Sequence, residues 1–150
     1  MKSLHVLLIP ALLVVCASCG QQAPSVYVLE SPQSVTLTAS ASALKVQQGG
    51  TVELRVERRT SGKWKQIPRD QLRRGQCWVY RPPPESEAAH NVQWEVVPEN
   101  SVWFNPEYRL DHSRTATMIV KGAIKLTPFT AVTCEADRVV AGPSIEIEVY

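Results

Sequence analysis

From Ser34 to the C-terminus, apolar residues recur at every second position. Val35, Leu37 and Ala39 alternate with Thr36 and Thr38, and Val52, Leu54 and Val56 alternate with Glu53, Arg55 and Glu57. Val92, Trp94 and Val96 repeat the pattern, as do Ala116, Met118 and Val120, then Val132, Cys134 and Ala136, and finally Ile145, Ile147 and Val149. Successive side chains of a strand point to opposite faces, so each of these segments can bury one face and solvate the other. No segment carries a 3.6-residue period over a helical length. Seven or so short strands, punctuated by Gly, Pro, Asn and Ser, predict an all-β sandwich over residues 34–150.

One stretch breaks this rhythm, an insertion at about 60–90. Ser61-Gly62 is a turn signal, and Ile67 to Leu72 reads as a short helical turn. Cys77, Val79 and Arg81 then alternate with Trp78 and Tyr80. Pro82-Pro83-Pro84 is held extended, because each ring fixes φ and removes a backbone donor. Glu85 to His90 reads as a solvated loop.

The N-terminus carries a different message. Lys2 precedes an apolar run from Leu4 to Val15, broken by His5 and Pro10. A bilayer span takes roughly 20 apolar residues, so this run reads as a removable secretory signal. Cys16-Ala17-Ser18-Cys19-Gly20 resembles the lipobox of bacterial lipoproteins, in which small residues precede an acylated cysteine. The resemblance implies a signal peptide over 1–18, lipidation of Cys19 and a tether over 19–33. Within that tether, Val26 to Leu29 is apolar enough to lie against the domain or its partner. Cys16 occupies a lipobox position that is ordinarily aliphatic, and the alternative is an ordinary signal cut near Ala17 or Cys19 that releases a free protein. Gly20 stands where the enteric inner-membrane retention signal places Asp, so the resemblance implies the outer membrane.

Export bears on the other two cysteines. Cys77 and Cys134 are expected to form a disulfide, the default in an oxidising compartment. The alternative, a catalytic thiol beside His90 or His112, lacks a nucleophile motif. Removing the leader leaves roughly 130 residues, enough for one domain with its own core.

Gly50-Thr51-Val52-Glu53-Leu54, Val92-Gln93-Trp94-Glu95-Val96, Thr130 to Ala136 and the final Ile-Glu-Ile-Glu-Val together resemble immunoglobulin-like domains, those of bacterial surface proteins above all. The resemblance implies an immunoglobulin-like β-sandwich with Trp94 as the core tryptophan of strand C and Cys134 on strand F. The chain departs from it in having Cys77 in an insertion rather than a cysteine on strand B, and Val132 where the family places tyrosine. A transthyretin-like sandwich is the alternative architecture.

Function is less legible. The motifs Gly-x-Ser-x-Gly, His-Glu-x-x-His, the P-loop and Cys-x-x-Cys are all absent. Asp111-His112 reads as a solvated turn rather than a metal site, and Glu85 and Glu87 as solubilising charges. No enzyme, cofactor or metal is therefore expected. The net charge of +2 gives no case for nucleic acid. The charge is unevenly spread, however. Arg55 to Arg81 is strongly basic and adjoins Trp64, Trp78 and Tyr80. Arg and aromatic side chains are enriched at binding hot spots, which makes Arg73, Arg74, Trp78, Tyr80 and Arg81 the candidate partner-binding residues. The expectation is a lipid-anchored, non-catalytic interaction module of the cell envelope that binds a protein partner through an exposed sheet edge or the basic insertion, the basic patch being suited also to an anionic glycan or lipid headgroups. Alternatives are a carbohydrate-binding module using Trp78, Tyr80 or Trp103, and a small hydrolase. In the plainest reading these aromatics merely cover a second apolar cluster and the charges are a solvated face.

Overall fold

A computed structural model describes residues 23–89 and 92–150. The expected signal peptide, Cys19 and His90 lie outside the described residues. In chain order the strands are β1 (Ser25–Leu29), β2 (Ser34–Ala41), β3 (Lys45–Val46), β4 (Thr51–Ser61), β5 (Trp64–Pro68), β6 (Trp78–Val79) and β7 (Ser86–Ala88). They continue with β8 (Gln93–Val97), β9 (Val102–Tyr108), β10 (Arg114–Met118), β11 (Gly122–Val132), β12 (Glu135–Ala141) and β13 (Ile145–Val149). A 3-10 turn, Arg69–Gln71, falls within the helical turn expected from the sequence.

One sheet runs β2-β4-β10-β9, all antiparallel. In the facing sheet β11 pairs with β8 on one edge and with β12 and β13 on the other, and β3 joins β13 in parallel. These are the A-B-E-D and A′-G-F-C sheets of an immunoglobulin-like sandwich, with β12 and β13 as one interrupted strand G. The order of the strands selects this architecture over the transthyretin-like one.

Period-two alternation explains the core. Val52, Leu54, Ala116 and Met118 from one sheet meet Ile124, Leu126, Ile145, Ile147 and Val149 from the other, all buried. Each such large side chain contributes about 1.5–3 kcal/mol by leaving water. Trp94 on β8 fills the role expected of it: it packs against this cluster and against a second one of Leu37, Val56, Ala89 and Val92. Its ring stacks on Phe104 of β9 with centroids 6.5 Å apart. Val120, expected to point inward, lies beyond the end of β10 and is exposed.

Three features depart from the sequence reading. Cys134 is not on strand F but in the two-residue turn Thr133-Cys134 that joins β11 to β12, with φ +67°. Thr and Cys carry no turn signal, so the alternation reads straight through the hairpin. Ser86–Ala88 is not a solvated loop: it pairs with β4 through Glu57↔Ala88, Arg58↔Glu87 and Arg59↔Ser86. The pairing arises because β4 runs to Ser61, past the end of β10, and leaves a free edge there. Finally, Ser25–Leu29 is a strand rather than part of a tether. Val26 and Val28 are buried, so this apolar piece lies against the domain.

Candidate functional site

The insertion folds onto the N-terminal strand. β1 is the central strand of a three-stranded sheet, β5-β1-β6, antiparallel to both neighbours. Both edge strands come from the insertion, and residues 69–77 carry the chain from one edge of β1 to the other. Val28 sits in one row with Lys65 on β5 and Trp78 on β6. Paired residues share a face, so Lys65, Val28 and Trp78 do too, whereas Cys77 precedes Trp78 and faces the opposite way.

The two faces have different tasks. On one, Cys77 is bonded to Cys134 at the tip of the β11–β12 hairpin, with a Cα–Cα distance of 5.5 Å. The expected disulfide is therefore present, and neither sulfur is free to act as a nucleophile while it persists. Beside it, the buried Gln33 side chain donates from Nε2 to the carbonyl of Thr133. Arg138 of β12 donates to the carbonyl of Gln33 at 2.7 Å and pairs with Glu135 at 3.0 Å. The sheet is thus fastened to the sandwich at one hairpin by a covalent bond and a hydrogen-bonded chain.

The face that holds Trp78 also holds Val26 and Val28, both buried, so Trp78 is half-buried there and Tyr80 is the exposed ring beside it. Trp78 and Tyr80 meet edge to face with centroids 4.9 Å apart, and Tyr80 is 63% exposed. The Arg69 guanidinium lies 5.2 Å over the Trp78 ring. Arg69 is not among the residues the sequence singles out; its contact depends on the 69–77 crossover, which has no periodic signature. Arg73 and Arg74 are exposed on that crossover, at a turn closed by the Gln76 N–H donating to the Arg73 carbonyl at 3.1 Å. Gly75 supplies the positive φ there, +79°. Arg81 is exposed at the start of the proline run. The structure therefore joins Trp78 to Tyr80 directly and places Arg73, Arg74 and Arg81 on the same small subdomain. Trp103 lies on β9 of the sandwich and belongs to none of this.

Charge separates along the same boundary. The sandwich carries the ion pairs Lys45–Glu148, Arg55–Asp111, Arg58–Glu87, Arg59–Glu57, Arg109–Glu53 and Arg138–Glu135. Among the described residues, Lys63, Lys65, Arg69, Arg73, Arg74 and Arg81 of the insertion make no ion pair.

The remaining candidates have structural partners. Asp111 sits in the β9–β10 turn, where it accepts from the Ser113 hydroxyl at 2.6 Å and the Ser113 N–H at 3.1 Å and pairs with Arg55. These bonds, the Ser113 hydroxyl foremost, hold its carboxyl down at about 2. Glu87 is committed to Arg58, whose half-buried guanidinium is pushed below its usual range by desolvation. Glu85 lines an open, hydroxyl-rich groove of about 410 Å³ together with Ser34, Thr36, Thr60, Ser61, Ser86 and Arg59. In that groove the Ser86 hydroxyl donates to Glu57 at 2.6 Å, and this bond, with Arg59 beside it, holds the Glu57 carboxyl below its usual range. Neither protein-family models, nor characterised proteins, nor solved structures match this chain.

Proposed function

We propose that the protein is a lipid-anchored module of the bacterial cell envelope, held by an acylated Cys19 in the outer membrane, which acts non-catalytically by making contacts through its insertion sheet. The supporting observation is that the N-terminal strand is the centre of that sheet. β1 begins six residues after Cys19, and six extended residues reach at most about 20 Å. The surface carrying Arg69, Trp78 and Tyr80 is therefore the part of the domain nearest the anchor. It carries the exposed Tyr80 ring, the half-buried Trp78 ring and cations that have no carboxylate partner among the described residues, which suits binding better than chemistry. Contact with another macromolecule is preferred over a sugar platform, because Arg69 already covers the Trp78 ring.

The test is a photo-crosslinking residue at position 80, activated in native membranes. A discrete adduct, weakened by Arg69→Ala and by Trp78→Ala, is expected. Adducts formed from position 103 and none from position 80 would move the contact to the sandwich and overturn the assignment.

A further inference from the structure

We propose that the insertion sheet seats on the anionic phospholipid surface into which Cys19 is anchored, so that the domain is oriented by two signals, an acyl group and a basic face. The inference rests on the reading of Cys19 as lipidated and of this sheet as the contact surface.

The charge distribution carries it. Residues 23–32 and 62–84, which hold the insertion sheet and its connections, contain six Lys and Arg against the two carboxylates Glu30 and Asp70. Residues 33–61 and 85–150, the sandwich, contain nine against twelve. The molecule is thus a dipole with its positive pole at the anchored end. Among the described residues, the six cations of that pole have no protein carboxylate as ion-pair partner, whereas six of the nine in the sandwich do. Lysine and arginine held near an anionic leaflet are attracted over a Debye length of about 10 Å, and tryptophan and tyrosine favour the headgroup layer.

Length bears on the choice between a lipid surface and an acidic protein. The span from Cys19 to β1 is at most about 20 Å, whereas a globular domain of 100 residues, with a radius of gyration of about 13 Å, is more than about 30 Å across. A partner of that size lying under the sheet would hold the start of β1 at the limit of its tether, whereas headgroups lie within its reach, which favours the lipid surface. A diacylglyceryl group holds the chain at the bilayer without fixing how the domain faces it, and a polybasic patch is a recognised second signal that adds that orientation.

The experiment uses the mature protein as recovered from cells, mixed with vesicles of phosphatidylglycerol and phosphatidylcholine or of phosphatidylcholine alone. Amide exchange is read by mass spectrometry. Exchange over 69–81 is expected to slow at least about tenfold in the anionic vesicles only, and to recover in Arg73→Glu/Arg74→Glu while exchange in β4 and β11 stays unchanged. Equal exchange in the two vesicles would overturn the proposal. If anionic vesicles give no protection but position 80 crosslinks to a protein in native membranes, the lipid assignment falls and the contact surface stands. If neither occurs, both fall.

Discussion

Gln33 donates to the carbonyl of Thr133, the residue immediately before the cysteine that bonds Cys77. Two separate parts of the chain, the β1–β2 connection and the insertion, are thereby fastened to one hairpin tip. Each attachment lies at an end of the three-stranded sheet, so the sheet has a defined position on the sandwich rather than hanging from its connections. The proposed anchor at Cys19, just before β1, would then orient the whole domain.

Gln33→Ala removes the donor and leaves a space at a site only 3% exposed. The expected loss is about 1–3 kcal/mol in urea unfolding, the range for disrupting a buried polar contact. Exchange should rise first in β1. A change of a few tenths would mean that the disulfide alone fixes the sheet.

Cys77→Ser breaks a link between residues 57 apart in the chain. The chain-entropy model gives a loss of about 4 kcal/mol for a loop of this size. Exchange in β6 and β1 should approach that of free peptide, while Leu54, Ile124 and Ile147 in the core stay protected. Uniform loosening of the sandwich would contradict the separation of the two units.

Much of this fold was legible in the sequence, and the parts that were not share one cause. The alternation of Val52, Leu54 and Val56, and of Ile145, Ile147 and Val149, reports a one-sided burial that a strand cannot avoid. Trp94 was recognisable as the residue between the sheets. The 69–77 crossover, β7 and the turn at Cys134 were not legible, because they answer to distant partners rather than to local pattern. Ser86–Ala88 becomes a strand only because β4 outruns β10, and Arg69 becomes part of the aromatic surface only because the crossover returns it over Trp78. Of the candidate site, Tyr80 was legible as an exposed ring, whereas Trp78, read as outward, is half-buried on the face it shares with Val26 and Val28. The participation of β1 was not, since a five-residue apolar strand next to a leader looks like tether.

Arg58 and Glu87 pair between β4 and β7, with side chains 19% and 22% exposed, and Arg58 Nε is buried without an acceptor among the described residues. Removing one partner from a largely desolvated pair strands the other, whereas replacing both with apolar groups is often neutral. Glu87→Ala is expected to lose about 1–3 kcal/mol. Arg58→Met/Glu87→Leu should lose less than the single change. Additive losses in a double-mutant cycle would show that the pair is not coupled.

Asp111 titrates at about 2 in the folded protein, below the ordinary 3.8, because Ser113 donates to it twice. A depressed folded value means that its contribution to stability is complete above pH 3.8 and lost as pH falls toward 2. Following the Ser113 amide by NMR should show the β9–β10 turn opening over that interval. Asp111→Asn should abolish the transition there. A midpoint near 3.8 in the wild-type protein would show that the turn does not hold the carboxylate.

The most direct test of an anchored module is the mass of its mature N-terminal peptide. The expected species begins at Cys19 and carries a diacylglyceryl group on the thiol, and Cys19→Ala abolishes the modification. An unmodified N-terminus at Cys19 or elsewhere would contradict the anchor and leave the basic sheet without a membrane to face.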